Sequence, residues 1–198
     1  MTNIAHRPLR ADARRNRERV IAAARRVFGQ QGRDAQMDDI ARAAEVGVGT
    51  VYRHFPTKEA LLEALAVDAF ERITVIAREN LANVADPWEA LTRTLWQGAE
   101  ILAADRALSE VMAEVPGPVP VGLETQRELN ETMAALVQRA IEAGALRPDT
   151  VLDDLSMVMC GVGAATRKSH MCPAAWRRHV AIVIDGLRAT SASGPLPS

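Results

Sequence analysis

The sequence has 198 residues, of which 48% are apolar but only 4% aromatic, so its core must consist mostly of aliphatic side chains. This composition favours helices; no stretch approaches the roughly 20 apolar residues of a membrane span, and the N-terminal segment does not resemble a signal peptide. Both observations predict a cytoplasmic protein. The two cysteines are too few and too close together to stabilise a secreted fold, so they are expected to be reduced thiols.

The charge is unevenly distributed along the chain. Residues 1–58 contain 12 Arg and Lys against 6 Asp and Glu, whereas residues 59–198 contain 12 against 19. A basic segment joined to an acidic one is typical of a head that meets nucleic-acid phosphates and a body that does not. A merely solvated basic face is the alternative, but it explains the asymmetry less well.

Apolar periodicity predicts two helices near the N-terminus. Residues 1 to about 10 lack such a period and contain Pro8, so they are expected to form a flexible arm. The first helix is predicted from Asp12, and Gly32 ends it in the C′ position. The two apolar stripes are Val20, Ile21, Ala24, Val27 and Phe28 in the first helix, and Met37, Ile40, Ala41 and Ala44 in the second.

A very short third helix carries most of the functional information. Val51 and Phe55, one turn apart, are expected to point together into a small core. Gly47 and Gly49 are expected to keep the preceding turn compact where a side chain would obstruct it. The residues left facing outward are Thr50, Tyr52, Arg53, His54 and Lys58. Such a helix is typical of the second helix of a helix-turn-helix.

The remainder of the chain also predicts helices. Thr57 is expected to cap a fourth helix that reaches Asn83, and Asp86 is expected to cap a fifth. Residues 115–120 contain three prolines and are expected to form a loop, and residues 191–198 are expected to be disordered. The last three helices are predicted over residues 121–143, from Pro148-Asp149-Thr150 onwards, and from Pro173 onwards.

The N-terminal segment resembles the tetracycline-repressor (TetR) family of bacterial regulators. The matching residues, spread over about a quarter of the chain, are Phe28, Gly32, Ile40, Ala41, Ala44, Val46, Gly49, Thr50, Val51, Tyr52, His54, Phe55, Lys58 and Glu59. The sequence departs from the family pattern at a few positions. Gln36 stands where Thr is common, Glu45 stands where Gly is common, and Gly47 replaces a frequent Ser.

The resemblance implies an all-α, homodimeric transcription regulator that acts on double-stranded DNA. An N-terminal helix-turn-helix domain of three helices over residues 1–58, including the arm, would precede a helical regulatory and dimerisation domain over residues 59–190. The resemblance further implies a repressor that binds a palindromic operator and is released by a small ligand. The alternative is the same fold acting constitutively or through a protein partner, without a small-molecule ligand.

The resemblance assigns roles to residues of the head. Tyr52, His54 and Lys58 are expected to hold phosphates, and Thr50 to contact the backbone or a base. Val48, Gly49 and Arg53 are expected to lie nearest the base edges, with Arg53 as the candidate for guanine. Gln36 stands at a cap and phosphate-contact position of the family. For Tyr52 and His54, packing against the core and plain surface exposure are the alternatives.

Two further sites are predicted in the body. The last two helices are expected to form the dimer contact, through Gly161, Gly163, Val180, Val183, Ile184 and Leu187. A cavity for a small apolar or aromatic effector is expected to be lined by Trp96, Glu100, Met112, Leu129, Asn130, Met133 and Met157, with residues 115–120 as its gate. The alternatives are that the stripes close the monomer core, and that Met and Trp are ordinary core residues.

Enzyme chemistry and metal binding find little support in the sequence. His170, Cys172 and His179 are possible metal donors, but their spacing matches no zinc template. Motifs for phosphate cradling, nucleophile elbows and zinc proteases are absent from the sequence, and its scattered carboxylates suit helix surfaces and caps. We therefore expect no enzyme activity, no cofactor and no metal.

Overall fold

The computed structural model describes residues 6–104, 123–168 and 175–197, and within these ranges it shows eight α-helices. They are α1 (His6–Gln31), α2 (Met37–Ala44), α3 (Val48–His54), α4 (Lys58–Asn83), α5 (Pro87–Ala104), α6 (Leu123–Glu142), α7 (Leu152–Lys168) and α8 (Ala175–Leu187). The predicted all-α fold class is confirmed. In the described ranges, no helix has both the length and the apolar character needed to cross a membrane.

The chain divides into two compact units, Met1–Leu65 and Ala66–Ser198, which we call the N-terminal and C-terminal units. The division lies within α4, C-terminal to the boundary that the sequence suggested after residue 58. Leu61 and Leu65, in the first two turns of α4, are fully buried. The start of α4 therefore belongs to the N-terminal unit.

The N-terminal unit has a small core where α1, α2 and α3 meet. Every side chain of the two predicted apolar stripes in α1 and α2 is buried, which confirms both stripes. Val51 and Phe55 are 0% and 3% exposed, so the two predicted anchors of α3 are confirmed as well. Cations lie against two of the aromatic rings: Lys58 Nζ is 5.6 Å from the ring centroid of Phe28, and the Arg17 guanidinium carbon is 5.5 Å from that of Phe55.

Helix α1 begins earlier than the sequence predicted. The backbone is helical from His6, whereas an arm was expected to about residue 10 and a helix from Asp12. Pro8 lies in the first turn, where its missing N–H is tolerated because the first N–H groups of a helix have no intrahelical acceptor. The end is as predicted, because Gly32 has a φ of 60° in the left-handed region that favours glycine.

The turn between α2 and α3 contains a left-handed residue that is not glycine. Glu45 has a φ of 53°, and its N–H donates to the carbonyls of Ala41 and Arg42. For a residue with a side chain this conformation costs roughly 1 kcal/mol. Arg19 of α1 reaches both the carbonyl and the carboxylate of Glu45, each at 3.3 Å, and so helps to hold the turn.

Side-chain caps fix the starts of α4 and α5, as the sequence predicted. The hydroxyl of Thr57 accepts from the N–H of Ala60 at 3.1 Å, and the carboxylate of Asp86 accepts from the N–H of Glu89 at 2.7 Å. The end of α4 is held from a distance, because Arg139 of α6 donates to the carbonyls of Leu81, Val84 and Ala85 at 3.0, 3.0 and 2.6 Å.

In the C-terminal unit, α5 packs against α6, α7 and α8, and α7 packs against α8. The helices meet in an aliphatic core. Its fully buried members include Leu91, Leu136, Leu146, Leu155 and Val162. Gly144, with a φ of 65°, ends α6 in the same way as Gly32 ends α1.

Helix α7 starts later than predicted because Asp149 is engaged elsewhere. Both carboxylate oxygens of Asp149 accept from Arg147, at 2.6 and 2.9 Å, and Arg147 is only 8% exposed. This bidentate pair, together with the N–H of Leu196, holds the pKa of Asp149 well below its usual range. The true start is capped by Asp154, which accepts from the N–H of Val151 at 2.9 Å.

The C-terminal tail differs from the expectation of disorder over residues 191–198. The structure describes it as far as residue 197. The carbonyl of Gly194 accepts from Arg147 at 2.6 Å, and the N–H of Leu196 donates to Asp149 at 2.7 Å. The sequence of the tail, rich in Ser, Gly and Pro, could not reveal these long-range partners.

Candidate DNA-binding face and ligand cavity

The exposed side of α3 carries the polar side chains that the sequence singled out. Tyr52 is 48% exposed and Arg53 is exposed, while Thr50, His54 and Lys58 are half-buried. Burial of Val51 and Phe55 fixes the rotation of α3, which leaves the four α3 groups accessible, while Lys58 is the first residue of α4. We call the set of Val48, Gly49, Thr50, Tyr52, Arg53, His54 and Lys58 the α3 face.

Gln36 occupies the N-cap position of α2 but does not cap it. Its amide Nε2 donates to the carbonyl of Asp34 at 2.7 Å, and its side chain makes no hydrogen bond to the first N–H groups of α2. The side chain is exposed. Gln36 therefore remains accessible to another molecule beside the start of α2.

Several cations of the N-terminal unit have acidic neighbours. They include Arg14 with Glu18 at 3.6 Å, Arg19 with Glu45 at 3.3 Å and Arg42 with Asp39 at 3.0 Å, as well as Arg15 with Asp12. Exposed pairs of this kind contribute only about 0 to 1 kcal/mol each. They do not cancel the excess of positive charge in the segment.

The two glycines before and within α3 do not have the role that the sequence suggested. A Cβ added to Gly49 would meet nothing within 4 Å, and one added to Gly47 would only touch the Thr50 hydroxyl at 4.0 Å. Gly47 has a φ of -65°, which any residue adopts. Neither glycine is therefore needed to keep the turn compact, and the expectation of an obstructing side chain was wrong.

The C-terminal unit contains a partly open cavity of about 260 Å³. Its walls come from α4, α5, α6 and α7. The described residues that line it are Phe70, Ile73, Thr94, Leu95, Gly98, Leu102, Gln126, Leu129, Asn130, Met133, Leu152, Leu155, Ser156, Met159 and Cys160. Most of this surface is apolar, which is typical of small-molecule sites.

Three of the predicted cavity residues line it, namely Leu129, Asn130 and Met133. Three others do not. The ring of Trp96 packs edge-on against that of Trp176 at 6.2 Å, the exposed Glu100 lies 3.9 Å from Arg177, and Met157 is 70% exposed. Met112 and the proposed gate over residues 115–120 lie outside the described residues.

Sequence reasoning missed the contribution of α4 to the cavity. Phe70 and Ile73 lie in the predicted fourth helix and were not among the predicted cavity residues, yet both line the cavity. Gly98 of α5 is a second missed residue, and a Cβ there would lie 3.3 Å from Met159 Cε. A buried glycine inside an otherwise regular helix was the available signal, because it marks a place where a side chain is missing.

The polar group at the inner wall of the cavity is already satisfied. The hydroxyl of Thr94 donates to the carbonyl of Ala90 at 2.8 Å and accepts from the amide of Asn80 at 3.0 Å. Gln126 and Asn130, one turn apart on α6, are the accessible amides of the lining. Within the described ranges, no group of three or more His, Cys, Asp or Glu is placed to hold a metal ion.

The predicted dimer residues require a correction. Val180, Ile184 and Leu187 are 0%, 7% and 7% exposed within a single chain, so their side chains cannot contact a second copy. Gly161 faces α8 of its own chain, because a Cβ there would lie 2.4 Å from His179 Nε2. These side chains close the core of the C-terminal unit, as does the buried Gly163. Of the predicted set, Val183 is half-buried.

Other apolar side chains of the same two helices are exposed. Met157 of α7 is 70% exposed and Ile182 of α8 is 66% exposed. Each lies on the side of its helix away from the buried stripe. We call Met157, Ile182 and Val183 the α7/α8 face.

Comparison with known proteins identifies the family. Residues 20–65 match the model of the bacterial regulatory proteins of the tetR family, and residues 86–189 match that of the C-terminal domain of SbtR-like transcriptional regulators. The chain belongs to the TetR family. This TetR-family protein is thus a transcriptional regulator, and the resemblance seen in its N-terminal sequence is confirmed.

Solved structures and curated relatives agree with this assignment. A TetR regulator from Mycobacterium vanbaalenii is 36% identical, with a TM-score of 0.65, over 91% of this chain and 99% of that one. SCO0520 from Streptomyces coelicolor is 33% identical, with a TM-score of 0.64, over 87% and 98%. The regulator UidR of Escherichia coli K12 is 26% identical over 71% of this chain and 74% of its own length.

Proposed function

We propose that this TetR-family regulator is a homodimeric repressor that binds a palindromic operator and leaves it when a small neutral ligand fills the cavity. The observation that carries the DNA-binding part is the α3 face, on which exposed hydrogen-bonding and cationic groups stand over a buried apolar anchor. The excess of cations in residues 1–58 supports it, since phosphate neutralisation supplies much of the affinity for DNA.

The α3 face offers groups for both parts of a DNA site. Tyr52, His54 and Lys58 are the proposed phosphate contacts, because hydroxyl, imidazole and ammonium groups donate to phosphate oxygens. Arg53 is exposed and bears the bidentate donor pair that suits guanine. Thr50 is proposed to contact the backbone or a base, and Gln36 the phosphates beside α2.

Selection of bound sequences from a random pool of double-stranded DNA tests this proposal. We expect an enriched palindrome whose half-sites are separated by about 34 to 36 Å, one turn of DNA. Affinity for that sequence should fall steeply as the salt concentration rises, because Lys and Arg side chains that bind phosphates displace counterions from the DNA. The selection is carried out at a salt concentration that suppresses non-specific binding. Failure to enrich any sequence under these conditions would contradict the proposal.

The proposed binding to a palindromic operator also requires a dimer, which we place at the α7/α8 face. Two heads on one palindrome require a two-fold pair, and Met157 and Ile182 give each copy an exposed apolar surface to cover. Replacement by Glu at both positions should produce monomers in analytical ultracentrifugation. The control is Val75→Glu, which changes another exposed apolar residue, on α4. Wild-type protein that sediments as a monomer at micromolar concentration would contradict the dimer.

The cavity supports a neutral ligand with an apolar body. A cavity of 150 Å³ with an apolar lining holds benzene, so about 260 Å³ suits a larger aromatic or branched aliphatic compound. The hydroxyl of Thr94 already donates its only proton to Ala90 and accepts from Asn80, so it has no donor to offer a ligand. A polar substituent would instead meet Gln126 and Asn130. The described part of the lining contains no charged side chain, so an ionised ligand would lack compensation there.

The proposed ligand binding is tested by measuring the melting temperature of the protein with a library of neutral aromatic compounds and their carboxylate analogues. Neutral compounds should raise the melting temperature and weaken operator binding. Gly98→Ala should reduce that shift, because the added Cβ belongs to the cavity lining and lies 3.3 Å from Met159 Cε, another lining atom that must move. The matched control is Gly186→Ala in α8, where a Cβ meets nothing within 4 Å. If no compound shifts melting or DNA affinity, the ligand-free alternative is favoured.

A further inference from the structure

The segment Gly47-Val48-Gly49 has a feature that folding does not account for. Gly47 and Gly49 both have room for a Cβ, and the described glycines with a positive φ are Gly32 and Gly144 instead. Gly49 lies inside α3, where glycine destabilises a helix relative to alanine. Gly47 is the N-cap residue of α3, a position where glycine is common, so the secondary structure accounts for it. Neither packing nor backbone conformation explains the missing side chain of Gly49. Close approach of another molecule to the backbone does explain it.

Val48 stands alone between these two bare positions. It is 43% exposed, although burial of a valine side chain would stabilise the fold. Its methyl groups therefore project from a stretch of backbone with no neighbouring side chain on either side in sequence. Any surface that approaches Gly47 and Gly49 closely will meet the methyl groups of Val48 first.

In the major groove an apolar group has one specific partner. The edges of guanine, cytosine and adenine offer only hydrogen-bond donors and acceptors, whereas thymine adds a C5-methyl group. Val48 has no donor or acceptor in its side chain, so it cannot read the other bases by hydrogen bonding. Arg53, on the same α3 face, has only hydrogen-bond donors at its end and therefore suits the acceptors of guanine.

We infer that Val48 is a specificity-determining residue that recognises one thymine per half-site through its C5-methyl group, with Gly47 and Gly49 permitting the close approach. This inference rests on the proposed DNA-binding function. It assigns the operator a feature that is separable from any guanine read by Arg53. It also predicts that the contact is lost when the methyl group alone is removed.

Replacement of thymine by deoxyuridine removes only that methyl group. In the selected operator, each thymine is replaced in turn, symmetrically in both half-sites, and affinity is measured by fluorescence anisotropy. One position should lower wild-type affinity about fourfold per half-site, the value of one buried methyl group. Val48→Ala should bind the thymine operator less tightly and should no longer distinguish thymine from deoxyuridine at that position.

A second variant tests the role of the glycines. Gly49→Ala should raise the melting temperature of the protein, because alanine favours the helix, and should weaken operator binding at least tenfold by holding the backbone away from the groove. Opposite signs of the two effects distinguish a DNA contact from a folding defect. Unchanged operator affinity in Gly49→Ala would overturn the close approach.

The outcomes separate this inference from the proposed function. An operator that binds tightly but tolerates deoxyuridine at every position overturns the inference and leaves the DNA-binding function intact. Equal loss in the wild type and in Val48→Ala assigns the methyl contact to another residue and also overturns it. A pool that yields no bound sequence removes the proposed function and this inference together.

Discussion

The candidate functional side chains point outward in the N-terminal unit and inward in the C-terminal unit. In the N-terminal unit, α3 buries two apolar residues and presents its polar groups outward. In the C-terminal unit, four helices direct apolar side chains toward a cavity of about 260 Å³. Outward groups can be exchanged with little effect on stability, whereas residues around a void contribute to both packing and binding. Substitutions should therefore separate stability from function in the first unit and combine them in the second.

The largest effect is expected where the N-terminal unit is itself inward-facing. Phe28 is fully buried, so Phe28→Ala should lower the free energy of unfolding by about 3 to 5 kcal/mol, measured by urea denaturation. Tyr52→Ala is the control, because its side chain is 48% exposed and should change stability by less than about 0.5 kcal/mol. Similar losses in both variants would break the distinction between anchor and face.

Arg53→Ala should affect DNA and not stability. We expect a loss of about 1 to 3 kcal/mol in operator binding, concentrated at one base pair, because a bidentate contact to guanine is removed. Competition binding against operators altered at each position measures it. A uniform loss across all sequences would assign Arg53 to the phosphates instead.

Lys58→Ala should weaken binding to every sequence alike. Loss of one phosphate contact should reduce the slope of log K against log salt by about 1 per head. The variant should also lose a little stability, about 0.5 to 1 kcal/mol, since the ammonium group lies 5.6 Å from the ring centroid of Phe28. An unchanged salt slope together with unchanged operator affinity would remove Lys58 from the proposed interface.

The smallest effect concerns the C-terminal unit and pH. Because the pKa of Asp149 is lowered in the folded state, its pairing with Arg147 stabilises the protein fully above the unfolded pKa, near pH 4, and this contribution is lost as pH falls further. Asp149→Asn should flatten the acid side of the stability profile in denaturant melts between pH 6 and pH 2.5. The control is Asp153→Asn, an exposed carboxylate in the first turn of α7. An identical acid profile for the two variants would contradict the prediction.

Sequence periodicity was sufficient for the N-terminal unit because its core is built from regular stripes. Ile40 and Phe28 could be placed inside by spacing alone, and the burial of Val51 fixed which side of α3 is exposed. The sequence could not show which positions have unoccupied space around them. Gly47 and Gly49 looked like residues demanded by a tight turn, and only the structure shows that there is room for a side chain at both positions.

The cavity was harder to predict because a lining residue and a core residue obey the same period. Leu155 and Met159, one turn apart on α7, line the cavity, while Met157 between them points to the other side. Choosing Met157 for its chemistry ignored its rotation about the helix axis. The choice of dimer-contact residues failed similarly, since an apolar stripe such as Val180 and Ile184 looks the same whether its own core or a second copy covers it.

The docking of the tail on Arg147 and Asp149 bears on how the protein should be labelled. Residues 194–196 exchange backbone hydrogen bonds with a charged pair that lies just before α7, and α7 forms one wall of the cavity. A fluorophore attached within this stretch would change its emission when the tail detaches, providing an optical signal for motion at the start of α7. An affinity tag joined directly to the same residues would add bulk at that position, so a spacer should precede it.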